Sequence, residues 1–188
     1  MVTEFAEVFR HDNEDHKLLL FDFYGTIVTL YENIKPMPGI QDFLKLVKKQ
    51  NVILGVVTSC ENKEVIDIVL KREELDDIFS FVITENESLK HDERIKIAIE
   101  TAENIINNRY KRQNVFLFDD DVARINVSKR MGIVHVSIVE REEEKVTKTL
   151  APDYIIQDFR DKKKLEIIFN PVKREVGESF APKKKLHQ

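Results

Sequence analysis

The feature that most constrains the fold is a regular alternation between short apolar runs and longer amphipathic stretches. Several of the runs are apolar at consecutive positions instead of every second one, a pattern typical of β-strands that are covered on both faces. We therefore interpret each run as a strand. The runs are Leu18–Phe23, Val52–Val57, Phe79–Ile83, Val115–Phe118, Ile133–Ile138 and Tyr154–Ile156.

The stretches between the runs have the period of a helix. Their apolar residues recur at three- and four-residue spacing and so fall on one helical face. Pro38-Gly39 is a typical start signal for the first helix, and Gly132 stands where a helix would end before the next strand. The apolar faces are Ile40, Phe43, Leu44 and Val47, then Val65, Ile66, Val69 and Leu70, then Ile95, Ala98, Ile99 and Ala102.

A repeated strand–helix order with short connections predicts a mostly parallel sheet with helices on both faces, a Rossmann-like three-layer α/β sandwich. We expect this domain to span residues 18–170, after an N-terminal extension of residues 1–17. Residues 171–188 contain two prolines, a glycine and three consecutive lysines, a composition that predicts a solvated tail.

Composition narrows the range of partners. The 30 basic and 34 acidic residues give a net charge of -4, which disfavours a dedicated nucleic-acid binder. The single cysteine, Cys60, excludes an intramolecular disulfide and a cysteine-built zinc site. No apolar run approaches the roughly 18 residues of a membrane helix, and residues 1–17 lack the cationic start and apolar segment of a signal peptide. We therefore expect a soluble, cytoplasmic protein without a membrane partner.

Polar residues follow four of the predicted strands, at the carboxyl edge where ligands bind in parallel α/β sheets. Asp22 and the residues up to Thr26 follow the first strand, and Thr58 and Ser59 follow the second. Lys90 lies beyond the third strand and before a helix, and Asp119–Asp121 follow the fourth. Because the carboxyl ends of parallel strands meet at one edge, we expect these groups to face a common cavity.

The residue types in these groups suit a divalent cation and an anion. Adjacent carboxylates at Asp119–Asp121 repel one another, and a divalent cation relieves such repulsion. Asp22 at the end of a buried strand is costly unless it is paired or bound to metal. Gly25 permits a tight turn whose N–H groups could line an anion pocket. The hydroxyls of Thr58 and Ser59 can donate to phosphate oxygens.

Each group also has a purely structural interpretation. Asp22 could cap the segment that follows it, and Thr58 and Ser59 could be N-caps of the next helix. Lys90 could be an ordinary surface lysine. Asp119–Asp121 could form the first turn of a helix, where the helix dipole favours acidic residues. The common position of these groups at strand ends favours a functional site over four separate structural roles.

The order of these groups resembles the haloacid dehalogenase (HAD) superfamily of phosphatases and related hydrolases. The segment DFYGT at Asp22–Thr26 resembles its first motif, Asp-x-Asp-x-Thr. Thr58 resembles the second motif, Lys90 the third, and the pair Asp119-Asp120 the fourth. The resemblance covers residues 18–156, and the stretch PMPGIQDFLKLVKKQNVILGVVTS is similar to the usual sequence between the first two motifs.

The resemblance implies phosphoryl transfer through an aspartyl-phosphate, with Asp22 as the nucleophile and Mg²⁺ as the cofactor. It implies that Thr58 and Lys90 hold the phosphate and its developing charge. It places catalytic groups at Asp22, Tyr24, Thr58 and Lys90, further binding groups at Gly25, Thr26 and Ser59, and metal ligands at Asp22, Asp120, Asp121 and the backbone carbonyl of Tyr24.

Two positions depart from the family pattern. The superfamily's phosphatases have a second Asp, the general acid and then base, where this chain has Tyr24. A phenol with a pKa of about 10 could donate a proton but would rarely accept one at neutral pH. The motif Asp-x-Tyr-Gly-Thr is instead that of the superfamily's 2-haloacid dehalogenases, whose halide leaving group needs no proton. Arg124 stands four residues after Asp120, where the family has Asp or Asn, so either Asp121 compensates or the outer metal shell is weaker.

The spacing between motifs leaves no room for a cap domain. Only 31 residues separate Thr26 from Thr58, and 30 separate Ser59 from Lys90, so one helix and one strand fill each interval. The likeness is nearest to a capless subgroup that includes magnesium-dependent phosphatase-1, through the sequences FDD and SKRMGI. An uncapped site is open to water, which disfavours dehalogenation, and it also admits macromolecular phosphorylated substrates.

Three functions are compatible with these residues. The first is a magnesium-dependent phosphatase of low or specialised activity, supported by Asp22, Thr58, Lys90 and Asp120. The second is a catalytically degenerate module that binds a phosphorylated ligand or a protein partner without turnover, supported by Tyr24. A 2-haloacid dehalogenase is the third and weakest.

Overall fold

The computed structural model describes residues 16–29, 34–140 and 143–169. The described strands are β1 (Lys17–Phe21), β2 (Val52–Val57), β3 (Phe81–Ile83), β4 (Val115–Asp119), β5 (Val134–Ile138) and β6 (Tyr154–Ile156). The described α-helices are α1 (Ile40–Val47), α2 (Lys63–Arg72), α3 (His91–Ile106), α4 (Arg124–Met131), α5 (Glu144–Thr149) and α6 (Lys162–Phe169). Most of the expected N-terminal extension and the whole expected tail lie outside the described residues.

The six strands form one parallel sheet in the order β3-β2-β1-β4-β5-β6. The chain builds the sheet outward from β1 through β2 to β3, and then returns to β4 on the other side of β1. The direction of winding therefore changes between β1 and β4, which are paired as far as Phe21 and Phe118. Ligands bind α/β sheets at such a switch point, outside the carboxyl ends of the strands.

Alternating side chains of β1 divide the core into two layers. Leu18 and Leu20 pack in the layer that contains the apolar face of α3. Leu19 and Phe21 point the other way, into a layer formed with α1, α2 and α6. The central strand is buried on both faces, which is why its sequence is apolar without interruption. The predicted three-layer α/β sandwich is confirmed.

The helix boundaries decide several of the structural interpretations. Gly39 precedes α1 with φ 80°, and Gly132 follows α4 with φ 69°. The predicted start of the first helix and the predicted helix end at Gly132 are therefore confirmed. The N-cap of α2 is Asn62, whose side chain accepts from the Val65 N–H, and not Thr58 or Ser59. The carboxylates at 119–121 precede α4 instead of forming its first turn.

The connections hold little besides the elements that build the sandwich. A single helix, α1, lies in the described part of the connection from β1 to β2, and α2 alone lies between β2 and β3. None of the described helices has the length and apolar character needed to cross a membrane.

Candidate functional site

The turn after β1 brings Asp22 and Asp120 close together. The Asp22 N–H donates to the Phe118 carbonyl at 3.0 Å, so pairing with β4 continues one residue beyond β1. Gly25 follows with φ 78°, and its N–H donates to the Val28 carbonyl at 2.7 Å. This N–H is used within the turn, which differs from the expected role at an anion pocket. A Cβ at Gly25 would lie 2.1 Å from Asp120 Oδ2, so only glycine leaves space for that carboxylate.

The loop after β4 is folded around its own carboxylates. Asp119 Oδ1 accepts the N–H of Asp121 at 2.9 Å, and Asp121 Oδ1 accepts the N–H of Ala123 at 2.9 Å. Asp119 is fully buried as the last residue of β4. Its other oxygen, Oδ2, lies 3.8 Å from His91 Nε2.

Asp22, Asp119 and Asp120, of which Asp119 is fully and the other two partly buried, each place a carboxylate oxygen within 4.8 Å of the others. Within the described part of the chain, Asp22 Oδ1 and Asp119 Oδ2 are buried without a hydrogen-bond partner. Burial raises the pKa of Asp22 to about 6, with Asp120 adding to the effect, and it raises that of Asp119 well above its usual value, with Asp22 adding. Burial also raises the pKa of Asp120, followed by repulsion from Asp121. Orphaned oxygens that repel one another fit a divalent cation with oxygen ligands.

This carboxylate group differs from the metal ligands that the sequence predicts. Asp119 belongs to it, whereas Asp121 does not. Asp121 uses Oδ1 on its own loop and places Oδ2 at 3.2 Å from Arg124 Nε, because the carboxylate of a loop residue satisfies nearby donors first. Asp22 and Asp120 lie together, as the sequence predicts. A metal-binding role for the Tyr24 carbonyl stays a prediction.

A cavity of about 440 Å³ opens above this carboxylate group. It is lined by Asp22, Tyr24, Ser59, His91, Asp120, Asp121 and Arg124. The Tyr24 ring is partly buried and packs edge-on against Phe23, with centroids 4.9 Å apart. Burial raises the pKa of the Tyr24 phenol above its ordinary value of 10.0, so this group keeps its proton at neutral pH.

The hydroxyl residues of the site lie beside the carboxylates. Thr58 is buried after β2, its Oγ1 accepts the Cys60 N–H at 3.2 Å, and its hydroxyl lowers the pKa of Asp22. Thr26 is fully buried and its hydroxyl lowers the pKa of Asp120. Both effects favour charged carboxylates and partly oppose the effect of burial.

Lys90 is placed differently from what its position in the sequence suggests. Its side chain is 73% exposed, and Nζ pairs with Glu93 Oε1 at 3.0 Å. Lys90 directly precedes α3 but does not line the cavity. The expectation that its ammonium faces Asp22 is not met in this arrangement.

The start of α3 instead contributes two residues that the sequence reasoning missed. Arg94 is only 2% exposed, and its Nη1 donates to the carbonyls of Ser88 at 2.7 Å and Leu89 at 3.1 Å. Its Nη2 lies 3.4 Å from His91 Nδ1, and His91 Nε2 lies 3.8 Å from Asp119 Oδ2. Since Arg94 can only donate, His91 Nδ1 accepts, and the ring proton sits on Nε2. Burial and then the charge of Arg124 lower the pKa of His91 to about 3.

A sequence signal for these residues exists. His91 and Arg94 stand three residues apart on the face of α3 that continues as Ile95, Ala98 and Ile99, so a polar pair begins an otherwise apolar face. Arg124 has no such signal beyond its departure from the family pattern. It enters the cavity as the first residue of α4.

Comparison with known proteins supports the same interpretation of the fold and the family. The sequence matches the family of haloacid dehalogenase-like hydrolases over residues 3–138. No curated protein matches the chain significantly.

Several solved structures share the fold at low sequence identity. A HAD-superfamily hydrolase from Ehrlichia chaffeensis has a TM-score of 0.61 at 13% identity, covering 81% of this chain and 97% of its own. YfnB from Bacillus subtilis, a HAD-hydrolase structure bound to magnesium, has a TM-score of 0.64 at 12% identity, covering 84% and 100%. CbbY from Rhodobacter sphaeroides, in complex with xylulose-(1,5)bisphosphate, has a TM-score of 0.61 at 11% identity, covering 77% and 95%.

Proposed function

The chain belongs to the haloacid dehalogenase-like hydrolase family, and we propose that it is a capless, magnesium-dependent phosphatase that acts through an aspartyl-phosphate on Asp22. The observation that carries this proposal is the group of Asp22, Asp119 and Asp120 at the switch point, with two buried carboxylate oxygens left without a hydrogen-bond partner in the described residues. Such a group is costly for the fold and is explained by a cation that it binds.

Asp22, Asp119 and Asp120 would hold Mg²⁺. When bound, the ion neutralises the carboxylates and the developing charge on the phosphoryl group. The pKa of about 6 leaves most Asp22 ionised at neutral pH even without the ion. An Asp22 oxygen can then form a bond to phosphorus while the bond from phosphorus to the leaving oxygen breaks. Water afterwards hydrolyses the acyl phosphate, which returns the carboxylate and releases inorganic phosphate.

Tyr24 determines which substrates this site can use. Its phenol lines the cavity and stays protonated, so it can donate a proton to a leaving group but cannot take one from water. The leaving groups of acyl and aryl phosphates, a carboxylate and a phenolate, depart without strong help from a proton donor. We propose that these substrates are hydrolysed far better than alkyl phosphates. The open cavity also suits a phosphorylated macromolecule.

Tyr24 is also the observation that favours a second candidate, a module that binds a phosphorylated ligand or protein without turnover. Loss of general acid–base catalysis typically costs about 10²–10⁴ in rate, which is enough to turn a weak enzyme into a binding protein. The two candidates share the cavity and the metal site and differ only in chemistry.

The deciding experiment offers the full chain acetyl phosphate, p-nitrophenyl phosphate and 2-chloropropionate, each with and without Mg²⁺. We expect magnesium-dependent hydrolysis of both phosphates and no release of chloride. Asp22→Asn should abolish activity because an amide is a poor nucleophile. The matched control is Asp67→Asn on the exposed face of α2, which should keep wild-type rates.

Two results would contradict the phosphatase proposal. Phosphate binding in the presence of Mg²⁺ with no hydrolysis of either phosphate would favour the binding module. Chloride release that disappears in Asp22→Asn would favour the dehalogenase.

A further inference from the structure

The cavity carries more negative than positive charge, which is a problem for any phosphorylated ligand. The carboxylates of Asp22, Asp120 and Asp121 line it, and Asp119 lies directly beneath. A phosphoryl group brings up to two further negative charges. A single divalent cation among these carboxylates leaves no excess positive charge for the phosphoryl oxygens. The site therefore requires a second source of positive charge on a side chain.

Among the described residues that line the cavity, Arg124 is the one formally cationic side chain. We propose that Arg124 binds the non-bridging oxygens of the phosphoryl group, the role that motif order assigns to Lys90. This inference rests on the proposed phosphatase function and identifies the residue that holds its substrate.

The guanidinium of Arg124 is held so that two nitrogens remain available. Nε lies 3.2 Å from Asp121 Oδ2, and the other oxygen of Asp121 is fixed by the Ala123 N–H at 2.9 Å. The Arg124 N–H donates to the Asp121 carbonyl at 2.9 Å, so the two residues are joined through backbone as well as side chain. Within the described chain, Nη1 and Nη2 have no partner. A guanidinium held through Nε presents these nitrogens as a fork that matches two phosphoryl oxygens.

The degree of exposure also suits this role. The side chain of Arg124 is 28% exposed, which leaves it accessible to a ligand while its charge still reaches the buried carboxylates. It lowers the pKa values of Asp22 and Asp119. Arg124 and Asp22 line the same cavity, which places the guanidinium on the side from which a phosphoryl group would reach Asp22, and Asp121 acts as its positioning residue.

The other basic residues near the site either do not line the cavity or carry no charge. Lys90 is directed to Glu93 and largely exposed. Arg94 is buried and uses Nη1 to hold the carbonyls of Ser88 and Leu89, so it positions the loop before α3. His91 is neutral because burial lowers its pKa to about 3. It can donate one hydrogen bond but supplies no charge.

The test measures binding of inorganic phosphate by calorimetry at saturating Mg²⁺, with the full chain and three variants. Arg124→Met should raise the Kd for phosphate about 10- to 100-fold, the range for hydrogen bonds to charged groups. Arg124→Lys should fall between it and wild type, since an ammonium keeps the charge but loses the fork. Lys90→Met tests the assignment made from motif order, and it should raise the Kd far less than Arg124→Met because an exposed ion pair contributes little.

A second readout separates phosphate binding from metal binding. In Arg124→Met the affinity for Mg²⁺ should be unchanged or higher, because a cation next to the carboxylates has been removed. With p-nitrophenyl phosphate, KM should rise and kcat should fall. If Arg124→Met does not fold, Arg124→Gln gives the test, since it removes the charge, keeps a polar side chain and should also raise the Kd.

The outcomes distinguish this inference from the proposed function. A wild-type chain that binds phosphate through Arg124 but hydrolyses no phosphate ester keeps the inference and overturns the phosphatase. An active chain whose Arg124→Met variant binds phosphate like wild type overturns the inference alone. So does a larger loss in Lys90→Met than in Arg124→Met, which would return the role to Lys90. A wild-type chain that does not bind phosphate overturns the inference.

Discussion

The acidic and the basic sides of the cavity are built by different means. Asp22 and Asp119 stand at the ends of two paired strands, and their backbone positions are fixed by the hydrogen bonds of the sheet. Lys90 and Arg124 stand where helices begin and carry long side chains. Each pairs with a carboxylate three residues away in the sequence, Lys90 with Glu93 and Arg124 with Asp121. A short side chain at the end of a strand has few rotamers, whereas a long side chain at the start of a helix has many and can place its charge in several positions.

At the buried titratable groups of the site, burial outweighs neighbouring charge in shifting the pKa. Burial is the first cause of the raised pKa values of Asp22, Asp119 and Asp120, and of the lowered pKa of His91. The acids and the histidine are therefore both pushed towards their neutral forms. Charge enters the cavity mainly through groups that keep some contact with water, and Arg124 is the clearest of them.

The largest effect is expected from adding a carboxylate at Tyr24. In Tyr24→Asp, a group that can both donate and accept a proton replaces one that can only donate. Turnover of an alkyl phosphate such as glycerol phosphate should rise by up to ~10²–10⁴, the range for general acid–base catalysis. Acetyl phosphate, whose leaving group needs no proton, should change much less. The measurement is kcat for both substrates at saturating Mg²⁺.

Two variants control the Tyr24 experiment. Tyr24→Phe removes the phenol without adding a carboxylate and should give no gain. Asp22→Asn should abolish turnover in either background. If Tyr24→Asp folds, binds Mg²⁺ and still hydrolyses nothing, missing proton transfer is not the defect, and the binding module becomes the better proposal.

A buried histidine away from the cavity gives a smaller effect on stability. His135 lies in β5 with Nδ1 at 2.9 Å from Ser128 Oγ, and burial lowers its pKa from 6.5 to about 4. Between these values the unfolded chain binds more protons than the folded one. The contribution is therefore fully present above pH 6.5 and is lost as the pH falls towards 4, by about 3 kcal/mol at most.

The variant His135→Gln tests the contribution of His135 to the pH dependence of stability, because glutamine keeps polar atoms but does not titrate. Its free energy of unfolding should lose less than that of wild type between pH 7 and pH 4, measured by urea denaturation at each pH in EDTA. Equal pH dependence in wild type and His135→Gln would mean that the pKa of His135 is the same in the folded and unfolded chains, so that Asp121 fully offsets the effect of burial.

How far the sequence predicts this protein follows from the same contrast. The strands and the apolar helix faces were predictable because burial on both faces leaves an uninterrupted apolar pattern, as in β1 and β2. Asp22, Thr58 and the acidic cluster after β4 were predictable because strand ends place short side chains at one edge. The family match over residues 3–138 agrees with that interpretation.

The remaining details of the site depend on which hydrogen bonds each loop makes, and these could not be predicted from the sequence. Three adjacent aspartates look alike in the sequence, and only the turn from Asp119 to Ala123 decides that Asp121 faces Arg124 while Asp119 joins Asp22. The buried Arg94 was missed because a charged residue on an apolar face is normally a surface residue. Its burial is explained only by the loop carbonyls that it holds.

The smallest effect is expected from two glycine variants, which test whether the space at Gly25 is needed to position Asp120. In Gly25→Ala, at φ 78°, the new Cβ would collide with Asp120 Oδ2, so the Asp120 carboxylate must leave its present position. We expect the affinity for Mg²⁺, measured by calorimetry, to fall about 10- to 100-fold, as for other disturbances around metal ligands. Gly132→Ala is the matched control, because its φ of 69° imposes similar backbone strain but its Cβ would meet only Arg112 Cβ at 3.9 Å. Both variants should lose about 1–2 kcal/mol of stability from the left-handed backbone, yet only Gly25→Ala should lose magnesium. Equal magnesium affinity in the two would show that Asp120 does not need its place beside Gly25 to bind the ion.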